Sequence, residues 1–178
     1  MFGAFWGESG ELMQIGQLPA AMREEWQSNL QRHIECVQKA GFRLGVPDKQ
    51  LRDHDLSKWS EEEFPGYALK FLGNDDSLFA AAWHHHFRNN PHHWQYWMFP
   101  DEFKMTGTEN GCLPMPMNYA LEMVADWCGA SVVYTGLEDM SDWLARNWRK
   151  VRMHSETREY VREVLDSLGY ADIVNLGM

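Results

Sequence analysis

The sequence predicts an all-α fold in a single compact domain, and three observations carry that expectation. Apolar residues recur at three- and four-residue steps along most of the chain. No alternating run is long enough to insist on a sheet. No internal repeat, low-complexity tract or Gly/Ser linker divides the 178 residues. That length suits one domain, and 44% hydrophobic with 13% aromatic residues is ample for a core. The expected domain covers residues 1–178, with a core over about 18–135 and C-terminal helices over about 139–168.

From Pro19 to Ala40, the residues Trp26, Leu30, Ile34 and Val37 mark one helical face, with Pro19 near its start and Gly41 just past its end. A second helix is expected from Asp48 to Lys58. Ser60 followed by Glu61, Glu62 and Glu63 reads as an N-cap with acidic first-turn residues, opening a third helix toward Phe71. Gly73-Asn74-Asp75-Asp76 is a turn, and Ser77 to Phe87 a helix stopped by Asn89-Asn90-Pro91. Phe99 to Pro116, rich in Pro, Gly and Thr, reads as a long loop, of the kind that serves as a lid or pocket wall. Met117 to Tyr134 is a largely apolar helix for the core. Amphipathic helices over Met140–Arg149 and Glu156–Leu168 close the chain.

Composition narrows the function classes. A net charge of −10 repels nucleic-acid backbones, so no role on long DNA or RNA is expected, although bound metal ions would still let the chain hold a small phosphorylated ligand. No apolar stretch approaches the roughly 20 residues that span a bilayer, so no membrane partner is expected. MFGAFWGESGE has neither a basic n-region nor Gly at position 2, so neither a signal peptide nor myristoylation is read. Cys36, Cys112 and Cys128 lack CxxC spacing and suit a reducing, cytoplasmic setting. Nothing in the chain excludes a homo-oligomer. Nine Trp and eleven Met suggest a thickly packed interior, with aromatic walls around a ligand.

The histidines carry the chemistry. Seven of the eight fall between His33 and His93, and several converging imidazoles and carboxylates are what divalent transition metals require. His33 shares the apolar face of its helix, where a lone His is usually a hydrogen-bonded core residue. His54 and Asp55 are adjacent, about 100° apart on a helix, so both reach one point only if the backbone passes close by or two metals are bridged. The run His84-His85-His86 cannot all face one way, so at most one or two bind. His92 and His93 follow Pro91, where one ring can turn inward. Both runs sit among aromatics (Trp83, Phe87, Trp94, Tyr96, Trp97), and buried imidazoles need partners. Asp126 lies mid-helix in the most apolar segment, where an ionised carboxylate needs a cation or strong hydrogen bonds.

In chain order these residues read H, HD, H, H or HH, D, an order that resembles the HD superfamily of metal-dependent phosphohydrolases. His54-Asp55-Leu56-Ser57-Lys58 is similar to the HDxxK version of its multi-metal branches, which include the HD-GYP cyclic-dinucleotide phosphodiesterases and the di-iron oxygenases similar to myo-inositol oxygenase. DHDLSKWSEEEF with HHHFRNNPHHWQYW more closely resembles a family of short bacterial and phage proteins of unknown function, over about positions 30–135. Two departures stand out. Trp94-Gln95-Tyr96-Trp97 follows the double His where HD-GYP proteins carry GYP, and Lys58 stands where the simpler HD 5′-nucleotidases have Glu.

The resemblance implies an HD-like helical bundle, in the cytoplasm of a bacterium or of a phage-infected host, holding two or three divalent ions (Mn, Fe, Co, Ni or Zn). His33, His54, Asp55 and Asp126 would form the basic metal set, with Asp55 as bridge. His85, with His92 and His93, would extend it to a second ion. The implied activity is hydrolysis of a small phosphorylated substrate, a nucleotide or cyclic nucleotide, by a metal-activated hydroxide. Lys58 would contact phosphate, His86 would protonate the leaving oxygen, and Trp83, Asn90 and Trp94 would line the substrate. The alternatives are a di-iron oxygenase and a catalytically silent, metal-stabilised nucleotide-binding module.

Overall fold

The computed structural model describes residues 12–99 and 107–175. The N-terminal residues 1–11 and part of the expected loop, 100–106, lie outside these. Among the described residues eight helices run in order: α1 (Ala20–Leu44), α2 (Asp48–Asp53), α3 (Phe64–Leu72), α4 (Phe79–Asn89), α5 (Met117–Thr135), α6 (Ser141–Asn147), α7 (Ser155–Ser167) and α8 (Ala171–Val174). Short 3-10 turns occupy Ile15–Gln17, Leu56–Trp59 and Trp94–Trp97. Among the described residues there is no strand, only isolated bridges of Cys112 with Met98 and with Glu109. The architecture is an all-α, single-domain bundle, as the periodicity predicts. No helix among the described residues is long and apolar enough to cross a membrane.

The core forms two clusters that share α1. Trp26, Leu30 and Ile34 pack with Phe64, Tyr67 and Ala68 of α3 and Ala82 of α4. One turn on, Val37 and Ala40 join Met123, Val124 and Cys128 of α5 and the buried faces of α6 and α7. Large side chains as buried as Leu144 and Leu165, both at 0% exposure, each contribute about 1.5–3 kcal/mol. His33 sits on α1 between Leu30 of the first cluster and Val37 of the second, where one cluster gives way to the other.

Two glycines set the helix spacing around that point. A Cβ on Gly129 would lie 2.8 Å from the Val37 backbone nitrogen, so α1 and α5 cross in near backbone contact. A Cβ on Gly66 would lie 2.6 Å from the Ala82 Cβ, which fixes α3 against α4.

Three expected boundaries moved, each for a packing reason. α1 runs through Gly41 to Leu44 and ends at Gly45, whose φ of 80° is the left-handed cap. Gly41 is there because Leu51 occupies the space of its missing Cβ. The helix expected over 48–58 breaks after Asp53. Ser60 does not cap a helix with its side chain; α3 starts at Phe64, with Pro65 in its first turn. Glu63, read as an exposed first-turn acid, is instead fully buried. The turn at Trp94–Trp97 and helix α8 had no clear periodic signal.

A candidate metal centre

Everything converges on Asp55. Where α2 ends, His54 turns to φ −56°, ψ 126° and Asp55 takes φ 57°, ψ 19° before the 3-10 turn begins. Left-handed backbone is uncommon for a non-glycine residue, although Asp tolerates it better than most. Breaking the helix there removes the geometric conflict between neighbours: both His54 and Asp55 turn inward, at 1% and 0% exposure.

The two oxygens of Asp55 face different groups. Oδ2 lies 3.2 Å from His33 Nε2 and 3.5 Å from His54 Nε2, while Asp126 Oδ1 is 3.1 Å from the same His33 nitrogen. Oδ1 lies 3.3 Å from His86 Nε2 and 3.4 Å from His92 Nε2. Two four-residue clusters share Asp55: His33, His54, Asp55 and Asp126 on one side, and Asp55, His86, His92 and His93 on the other. Within each, the candidate ligand atoms all lie within 4.8 Å of one another.

Six of these atoms have no hydrogen-bond partner. Nε2 of His33, His54, His86, His92 and His93, together with Asp55 Oδ1, is buried without a hydrogen bond. Orphaned buried polar atoms are costly. Six of them aimed at two points fit divalent cations, and an imidazole- and carboxylate-rich donor set suits first-row transition metals.

The opposite ring nitrogens are anchored. Glu122 Oε1 is 2.8 Å from His54 Nδ1 and 3.2 Å from His92 Nδ1, so one carboxylate orients a ring in each cluster. Glu63 Oε2 is 2.7 Å from His86 Nδ1, and its other oxygen is 2.8 Å from His85 Nδ1. A carboxylate on Nδ1 directs the Nε2 lone pair to the centre and strengthens the ligand. His54, His92 and Glu122 also cluster by themselves. Their mutual contacts use the Nδ1 atoms, so Glu122 reads as a support for the two sites. Glu122 in turn accepts a hydrogen bond from the Gln50 amide.

The electrostatics match. Burial favours a protonated Asp55, but His54, Lys58 and His86 outweigh it and hold the carboxyl well below its usual range. Burial opposes charge on His54, yet Asp55, Asp126 and Glu122 lift its pKa to about 9. Burial also works against ionised Glu122, while hydrogen bonds from His54 and His92 bring it to about 2. Burial and the neighbouring His92 and His86 push His93 well below its ordinary value, leaving the neutral imidazole that ligates metals. In the metal-free chain, protons on His54 and the Lys58 ammonium, 2.5 Å from Asp55 Oδ2, balance the carboxylates. Metal binding would release such protons.

The expected residues fall into place unequally. His33, His54, Asp55, His92, His93 and Asp126 meet at the centre. His85 does not: its side chain is 37% exposed and bonded to Glu63, outside both clusters. His86 takes that inward position, which moves it from the expected acid role into the candidate ligand set. Asn90 is buried, and its amide donates to Ser57 Oγ at 2.7 Å and to the His86 carbonyl at 2.8 Å, clamping α4 to the Leu56–Trp59 turn. Trp83 packs against His93 at 4.9 Å and against the first core cluster, while Trp94 packs against the second. Glu122 and Glu63 were missed. Glu122 could have been found, because it stands one turn before Asp126 on the same apolar helix.

Residues 22–167 match DUF5662, a family of unknown function, and the chain belongs to that family. No curated protein and no solved structure matches it.

Proposed function

We propose that the chain is a metal-dependent phosphohydrolase of HD type, acting on a small phosphate ester at a centre of two divalent transition-metal ions. The observation that carries the proposal is Asp55, whose two oxygens face separate sets of unpartnered imidazole nitrogens, as a bridging carboxylate requires. His33, His54 and Asp126 would hold one ion; His86, His92 and His93 would hold the other. Bound there, the ions would supply Lewis acidity toward phosphoryl oxygens and an activated water.

The chain's own groups supply the rest. Lys58 stands at the edge of the centre with a side chain 13% exposed, the one ammonium in contact with Asp55 among the described residues. Beside the carboxylate that would hold both ions, its ammonium would neutralise the equatorial oxygens of an incoming phosphate. Glu63 and Glu122 keep the imidazoles oriented through the reaction. The nearly complete burial of His86 and His92 keeps bulk water from that side.

The test is phosphate release by chain loaded separately with Mn²⁺, Fe²⁺, Co²⁺, Ni²⁺ or Zn²⁺, against phosphomonoesters and cyclic nucleotides. Lys58→Ala is expected to keep its metal and lose roughly 10²–10³-fold in rate. An oxygenase is the second reading, favoured by three imidazoles to one carboxylate in the His86 cluster, a donor set that iron accepts. Oxygen uptake by iron-loaded chain that releases no phosphate with any of the five metals would replace the first reading with the second.

A further inference from the structure

An aromatic strip leads outward from the metal centre. Lys58 Nζ lies 5.2 Å from the centroid of the Tyr67 ring, whose edge meets His86 at 5.7 Å. Phe71, one turn further along α3, stacks on Tyr67 at 6.1 Å and 22°. Tyr134, at the end of α5, meets Phe71 at 6.0 Å and 37°. Exposure climbs along the strip, from 4% at Tyr67 to 43% at Phe71 and 67% at Tyr134. Tyr134 lies two turns beyond Asp126 on the same helix, about 12 Å along its axis.

Packing explains the inner end only in part. The Tyr67 ring belongs to the first core cluster, but its hydroxyl is buried and has no hydrogen-bond partner. The ring it belongs to lies beside both Lys58 and His86, at the margin of the centre. A buried phenol rarely goes without a partner. At the outer end, Tyr134 is mostly exposed and Phe71, which also stacks on Trp26 at 5.7 Å, is half-exposed, both on the Lys58 side of the candidate centre. An exposed aromatic pair next to a phosphate-binding group offers a stacking surface for a flat ring.

Resting on the phosphohydrolase reading, we infer that Tyr67, Phe71 and Tyr134 are the substrate-recognition strip of this centre. The Tyr67 hydroxyl, with Lys58, donates to the phosphate. The Phe71–Tyr134 pair stacks on a planar ring carried by the substrate. The substrate class is therefore a phosphate ester bearing a flat heterocycle, of nucleoside monophosphate shape, rather than a sugar or polyol phosphate.

The test is calorimetric titration of the metal-loaded full chain with two phosphonates that no hydrolase cleaves and that differ only in the base. These are the methylenephosphonate analogues of AMP and of ribose 5-phosphate. Wild type is expected to bind the adenosine compound at least tenfold more tightly, in line with the strength of base–aromatic stacking. Tyr134→Leu should erase that gap and Tyr134→Phe should keep it. Tyr67→Phe should weaken both ligands by about tenfold or more, since it removes a hydrogen bond to a charged group. Equal affinities in wild type, a gap that survives Tyr134→Leu, or no binding of either compound would overturn the inference. Metal content measured on the same samples separates the two levels. Chain that takes up no metal defeats the proposed function, while the base-dependent gap, present or absent on that chain, still decides the strip.

Discussion

The two halves of the centre are assembled from different kinds of chain. His33, His54 and Asp126 come from α1, the break after α2, and α5, so their meeting depends on long-range packing. His86, His92 and His93 lie within eight residues, on the last turns of α4 and the bend after Pro91. Chemistry differs as well. The dispersed half has two carboxylates and side chains 12% and 14% exposed at His33 and Asp126, beside Lys58. The local half has one carboxylate and three imidazoles, all at 8% exposure or less. The difference points to a division of labour: the dispersed, anionic half opens to solvent and substrate, while the local, imidazole-rich half is a sealed anchor.

The comparison can be broken one half at a time. Asp126→Ala should cost the dispersed half its ion and leave the other, so metal content falls to about half of wild type; loss of both ions would mean that the halves are not separable. Glu122→Gln touches a ring in each half and should lower affinity at both by roughly 10–100-fold, read by chelator competition. An effect at only one ion would confine Glu122 to that half. Gly129→Ala pushes α5 off α1 at Val37. It should destabilise by about 1–3 kcal/mol of overpacking, less the 1 kcal/mol or so that alanine returns in helix propensity. Metal affinity in that variant should fall most at the dispersed half, whose ligands His33 and Asp126 face each other across the α1–α5 crossing. An unchanged melting temperature would show that the crossing has slack.

The smallest effect is on metal-free chain as pH rises. The His54 pKa is raised to about 9 from 6.5, and those of His33 and His92 are raised too. Their charged forms therefore stabilise the fold fully below 6.5, and that contribution is lost as pH climbs toward 9. His93, lowered on folding, acts in the opposite sense, but only near and below 6.5, where the unfolded imidazole still takes up a proton. The urea midpoint of metal-free chain should therefore decline from pH 6.5 to 9, and that of metal-loaded chain should hold. A flat profile without metal would remove the ionic cluster from the account.

Much of the fold was legible because helical period survives even in a crowded sequence: α1, α5 and α7 fall within a few residues of their expected spans. The dispersed half of the centre was legible too, since His and Asp on apolar faces stand out one by one. The phase of α4 was not. His84, His85 and His86 are about 100° apart, and the preceding Ala80-Ala81-Ala82 gives no preferred face. The close contact of Ala82 with Gly66 settles it, and His86 follows one turn later on the same side. The break at His54–Asp55 was hidden for a similar reason. Asp48 to Lys58 contains no glycine or proline, and the left-handed turn is held by what Asp55 faces rather than by local preference. Glu63 was lost in a run of three glutamates that local rules place in solvent.

The most direct measurement is elemental analysis of untagged protein, wild type beside Asp55→Ala, with far-UV circular dichroism to confirm that both are helical. Near two transition-metal ions per chain in wild type, and neither in Asp55→Ala, is the result expected of a bridging carboxylate. Full occupancy in the variant, or wild type that takes up no metal after reconstitution with Mn²⁺, Fe²⁺ and Zn²⁺, would contradict it and return these histidines to structural roles.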